Sequence, residues 1–180
     1  VNDGVDFEVQ VERWLRRQRG ARFTERRVRQ RGKIARHGHE CDVHATMVSP
    51  LWVLPLITAV ASILGCLAMA VSGGDQTLAI VPGVLGVLSV ALLAVFFADP
   101  RHVWIECKSG EGSIKRDVVW KLVGQVDDVR RFAGQGGGAW YPSEVWLVAR
   151  GAFDVDALAF AREAGVRCFV QQSGDIREVV

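Results

Sequence analysis

The chain has 180 residues, 49% apolar, 23% charged and 8% aromatic, which fits about one ordinary domain and excludes a disordered or fibrous chain. Its formal charge of +2 is unevenly spread. Residues 1–50 hold 11 Lys and Arg against 7 Asp and Glu, residues 51–100 hold none against 2, and residues 101–180 balance at 11 against 11. A middle third without a basic residue argues against a simple soluble domain.

From Asp6 to Gly20 the pattern is helical, with Phe7, Val11, Trp14 and Leu15 on one face and Gly20 as a stop. Arg22–Arg36 alternates Arg27, Arg29 and Arg31 against Val28, which predicts a strand with one solvated face. A turn near His37 and Gly38 leads into a second strand over His39–Met47.

Leu51–Ser72 and Leu78–Ala98 then run for 22 and 21 residues without a formal charge, separated by the short polar turn Gly73–Thr77. About 20 apolar residues span a bilayer, so the pair is expected to form a transmembrane hairpin. Trp52, Phe96 and Phe97 stand near its ends as interfacial anchors. Arg36 and Arg101 bracket it while the turn carries only Asp75, which places both flanking segments on the cytoplasmic side of the cell membrane.

After the hairpin come a strand over Val103–Cys107, a helix over Ile114–Phe132 with Val119, Leu122, Val126 and Val129 along one side, and a glycine-rich loop, Gly134–Gly138. A strand over Glu144–Ala149, an amphipathic helix over Val155–Ala164 and a strand over Val166–Gln171 complete the chain. The expected organisation is a discontinuous cytoplasmic α/β domain, residues 1–49 and 99–180, with helices flanking a mixed central sheet. Residues 50–98 form the inserted two-helix hairpin.

The chemistry-bearing residues fall on the predicted strands. Glu106 and Lys108 sit at i and i+2 and point together. With the hairpin removed, Asp42 and Glu106 are about a β-hairpin apart, so Asp42, Glu106 and Lys108 are expected at one edge of the sheet. Two carboxylates there make a hard oxygen site suited to Mg²⁺ or Mn²⁺. Such a metal lowers the pKa of a bound water and stabilises charge on a phosphate, while a lysine orients the water or neutralises developing charge.

This constellation resembles the PD-(D/E)xK, restriction-endonuclease-like nuclease superfamily, in particular its Mrr-like branch. Gly4-Val5-Asp6-Phe7-Glu8 with Trp14-Leu15 is similar to the family's first helix, His39-Glu40-Cys41-Asp42-Val43 to its acidic strand, and Ile105-Glu106-Cys107-Lys108 to its ExK strand. Val145–Ala149, Gly151-Ala152-Phe153 and Ala157–Phe169 resemble the later strand-helix-strand unit. The resemblance implies a restriction-endonuclease-like fold and a Mg²⁺-dependent endonuclease. Asp42 and Glu106 are then metal ligands, Lys108 the catalytic lysine and Glu8 an accessory acidic residue. Cys107, between the ligand and the lysine, is counted with the metal site. The hairpin between Asp42 and Glu106 departs from the family pattern.

DNA is the expected partner, with RNA as the alternative nucleic acid, the lipid bilayer as the anchor, and a homodimer where both strands of a duplex are cut. The contrasting reading is a non-catalytic, membrane-tethered module that binds nucleic acid and keeps the fold. Arg13–Arg36 holds 11 basic residues against Glu25 alone, which suits either a phosphate backbone or anionic lipid. Gln125, one turn after Lys121, is an ordinary helix polar residue that could approach the site. His37, His39, His44 and His102 lack metal-ligand spacing and are read as turn or interface residues. No GxxxxGK[ST] run is present, and Cys41, Cys66, Cys107 and Cys168 form no CxxC pair.

Overall fold

A computed structural model of the chain describes residues 3–35, 37–47, 53–72, 80–98, 100–137 and 140–180. The expected turn at 73–77, Arg36, Trp52 and the side chains of Phe96 and Phe97 lie outside the described residues. The chain divides into two units, Val1–Met47 with Arg101–Val180, and Val48–Pro100.

In the first unit, the three- and four-residue spacing of Phe7, Val11, Trp14 and Leu15 gives helix α1 (Asp3–Gln18) a single buried stripe. That stripe packs on one face of a six-stranded sheet. Its strands, β1 (Ala21–Gln30), β2 (His39–Met47), β3 (Arg101–Lys108), β4 (Pro142–Ala149), β5 (Val166–Gln172) and β6 (Asp175–Glu178), lie side by side in chain order. The pairs β1–β2, β2–β3 and β5–β6 are antiparallel, while β3–β4 and β4–β5 are parallel and take helical crossovers.

Those crossovers are α4 (Arg116–Ala133) and α5 (Val155–Glu163), and they cover the opposite face. Each helix layer has its own core. Val43, Val103, Ile105 and Trp146 face α1, whereas Trp104, Val145, Leu147 and Cys168 pack with Val119, Leu122 and Val126 of α4. Strand β6 was not expected from the sequence. Ser173 and Gly174, both with positive φ (51° and 86°), make the two-residue turn that folds it back on β5.

The second unit holds α2 (Val53–Ser72) and α3 (Ile80–Ala98). Gly65 lies beside Pro82 and Gly86 beside Ser62, so small residues set the spacing of the pair. Among the described residues no helix is long and apolar enough to cross a membrane. This corrects the expected inserted transmembrane hairpin, and with it the two-helix, multi-pass placement in the cell membrane with cytoplasmic termini. The expectation counted uncharged residues, 22 and 21, whereas the helices within those runs hold 20 and 19. In α2 the hydroxyls of Thr58 and Ser62 each donate back to the carbonyl four residues earlier.

Candidate active site at the β2–β3 junction

Strands β2 and β3 are paired from Met47↔Arg101 to Val43↔Ile105, and there the ladder stops. Cys41 belongs to the core on the α4 side, and Val43 to the core on the α1 side. Residues two apart on a regular strand share a face, so β2 turns over between them, at Asp42. Across β1, between the pairs Arg26↔Val43 and Val28↔Cys41, Arg27 holds a left-handed backbone with φ 54°. For a side chain of that size this conformation costs of order 1 kcal/mol or more, and such strain gathers at functional sites.

The turned-over Asp42 reaches into the gap that the ladder leaves. Its Oδ2 accepts a hydrogen bond from the Cys107 N–H at 2.7 Å, replacing a backbone ladder bond. Glu106 and Lys108 share the face of Trp104, the α4 side, and Lys108 Nζ donates to Glu106 Oε1 at 2.7 Å. Burial, followed by the charge of Glu106, pushes the Asp42 carboxyl up to about 6, against the lowering effect of the Cys107 N–H and Lys108. Burial works to lower the Lys108 ammonium, but the hydrogen bond and charge of Glu106 outweigh it and hold it above the ordinary lysine value. Lys108 is therefore a cation at neutral pH, beside two acids that repel each other.

Glu8 on α1 is buried and contributes to the field at Asp42. Its carboxylate is engaged by Arg27, with Nε to Oε2 at 3.2 Å and Nη2 to Oε1 at 3.4 Å. Cys107 supplies its backbone N–H, while its side chain packs against the α1-side core and burial drives its thiol well above the usual range. Among the described residues no group of three or more His, Cys, Asp and Glu converges to hold a metal. Asp42 Oδ1 and Glu106 Oε2 carry no hydrogen bond among the described residues. This pair of hard, anionic oxygens fits a Mg²⁺-type ion that keeps several waters. A soft thiol turned to the other face does not fit that ion.

Three features escaped the sequence reading. Arg27 had no distinguishing mark among its neighbouring arginines. Asp128, buried on α4, accepts from the N–H groups of Ile34 (2.8 Å) and Ala35 (3.1 Å) and meets His39 Nε2 at 3.0 Å. It thereby ties the β1–β2 connection to α4. A Cβ at Gly32 would run into that carboxylate, which is the sequence signal that could have revealed the latch. His44, stacked on Trp140 with centroids 4.0 Å apart, meets His102 Nδ1 through Nε2 at 3.0 Å. Gln125 lines a groove between α4 and the β1–β2 connection.

No family model matches the chain, and no curated protein matches it. A solved structure is similar in fold: the crystal structure of a protein of unknown function, AF1548, with a TM-score of 0.52 and 15% identity over 94% of this chain and 58% of that one. The chain thus spans 58% of the length of that protein, and at this identity the likeness is one of fold alone.

Proposed function

We propose that this chain is a metal-dependent nuclease that hydrolyses phosphodiester bonds in DNA. The observation that carries the reading is the junction itself. A half-buried Asp42 with a raised pKa lies in the fields of Glu106 and of a charged Lys108, where two strands part and one oxygen of each acid has no hydrogen bond among the described residues. Similarity to the PD-(D/E)xK superfamily at Asp42, Glu106 and Lys108 supports the same reading. A purely structural ion pair has no need of the second, repelling carboxylate, whose burial costs stability.

Asp42 Oδ1 and Glu106 Oε2 would hold the ion. When bound, that ion supplies an acidified water and positive charge at the scissile phosphate. Asp42 must be ionised to take the ion, so binding of the ion is expected to strengthen as pH rises through about 6. The Cys107 N–H fixes the Asp42 carboxylate in place. Glu106 Oε1 aims the Lys108 ammonium, which stabilises negative charge developing on the phosphate or its leaving oxygen. Glu8, held by Arg27, adds negative potential behind Asp42 without itself being free to ligate.

The test is cleavage of supercoiled plasmid, single-stranded DNA and RNA by the full chain with Mg²⁺ or Mn²⁺, beside Lys108→Ala and Glu106→Ala. Metal-dependent cutting lost in both variants supports the reading. Cutting that survives in both assigns it elsewhere. Nucleic-acid binding by folded protein with no cutting by any form would make the chain a binding module.

A further inference from the structure

Helix α4 carries Trp120 on its outer side, 65% exposed, and the β1–β2 connection carries Ile34, 79% exposed. The two line one groove with His39, Lys121, Gly124 and Gln125. Gly124, one turn after Trp120, has no atom within 4 Å of where a Cβ would stand, so the space beside the indole is open. The Asp128 latch holds the Ile34 side of the groove against α4.

The groove adjoins the candidate site. His39 lies three residues before Asp42, and Cys41, Glu106 and Lys108 share the face that α4 covers. The acids around it are occupied: Glu40 by Arg29 at 3.2 Å, Asp117 by Lys121 at 3.9 Å, and Asp128 by the latch. Arg31 and Lys33 flank the groove without lining it: they stand three residues and one residue before Ile34 on the same connection, exposed and with no ion pair among the described residues. An exposed aromatic face, an open space and uncompensated cations are what unpaired nucleotides require. The bases stack and the phosphates meet the cations. Paired bases keep their faces inside the stack and have nothing to offer an indole on a helix surface.

We infer that this groove receives unpaired bases of the substrate, stacked on Trp120, so that the chain acts on nucleic acid with a single-stranded stretch. This rests on the nuclease reading and narrows its substrate.

The experiment uses full-length protein carrying Lys108→Ala, without divalent cation, and fluorescence anisotropy of a labelled single strand and of a duplex of equal length at one salt concentration. The expected result is tighter binding of the single strand, a loss of about 5- to 100-fold on adding Trp120→Ala, and recovery of most of it with Trp120→Phe. Gly124→Leu, which fills the open space while favouring the helix, is expected to weaken single-strand binding in the same way. Single-strand affinity that stays within about twofold in both Trp120→Ala and Gly124→Leu overturns the inference. If the Lys108-intact protein then still cuts DNA with Mg²⁺, the nuclease reading stands without it. A concentration-dependent dimer abolished by Trp120→Ala, with nucleic-acid binding unchanged, assigns the groove to a second copy and also overturns it. No binding or cutting of any nucleic acid at low salt removes both.

Discussion

Replacing Asp42 with Asn is expected to make the protein more stable at neutral pH, not less. The Asp42 carboxyl is raised from 3.8 to about 6, first by burial and then by Glu106. A shift of about 2 units corresponds to about 3 kcal/mol at most, and access of solvent to this group reduces that to about 1–2 kcal/mol. An acid with a raised folded pKa gives its full stability below the unfolded value, near 4. That stability is lost as pH rises to about 6, because the folded state holds the proton longer. Asn never ionises, and its Oδ1 still accepts from the Cys107 N–H. The advantage of Asp42→Asn over wild type should therefore be absent below about pH 4, grow between about 4 and 6, and stay level above. Urea unfolding of both proteins from pH 4 to pH 8 measures it. Millimolar Mg²⁺ or Mn²⁺ should raise the unfolding midpoint of wild type while leaving Asp42→Asn unmoved, narrowing the gap. An Asn variant less stable than wild type at pH 8, or an advantage independent of pH, would refute the claim that Asp42 is held under strain for a ligand.

His44 is lowered to about 4 by burial and by His102, so stability should be lost as pH falls from about 6.5 to about 4. His44→Phe is expected to remove about 1–2 kcal/mol of that acid loss, read from the pH dependence of the urea midpoint. Asp128→Ala breaks the latch and should cost about 2–4 kcal/mol, with faster hydrogen exchange at the Ile34 and Ala35 amides; unchanged exchange there would sink the latch. Gly124→Ala, at an exposed helical position with free space around it, should stabilise by about 0.5–1 kcal/mol in equilibrium unfolding. A destabilised Gly124→Ala would mean the groove is already filled.

The strand over His39–Met47 has the same ends in sequence and structure because its alternation is flanked by Gly38 and a change of composition. Helix α1 is legible for a similar reason: its apolar spacing is helical and a glycine follows its last turn. Strand β1 was expected to run to Arg36 but stops at Gln30. The arginine alternation continues beyond it, yet the Asp128 latch, from a helix nearly a hundred residues away, pulls residues 31–35 out of the sheet. No local pattern carries that information. At the junction, the pairing of Glu106 with Lys108 follows from strand alternation alone. The reversal of β2 at Asp42 does not, since alternation assigns Cys41 and Val43 to one face and only the packing of two separate cores divides them. Cys41 accordingly shares the α4-side core with Trp104, on the face that carries Glu106 and Lys108.

The placement of α2 and α3 also bears on the order in which the chain assembles. Met47 and Arg101 are register partners in the sheet, yet everything from residue 48 to residue 100 separates them along the chain. Closing such a span costs about 2 kcal/mol more in chain entropy than closing a tight turn. Helices form from local contacts, and the match of Gly65 to Pro82 and of Ser62 to Gly86 sets α2 antiparallel to α3, bringing the chain back toward where it left. The insert thus shortens the search it appears to lengthen. Were the hairpin to fold first, only its short flanks would remain to close between Met47 and Arg101, and the acidic junction would be completed after a segment that contributes none of its residues.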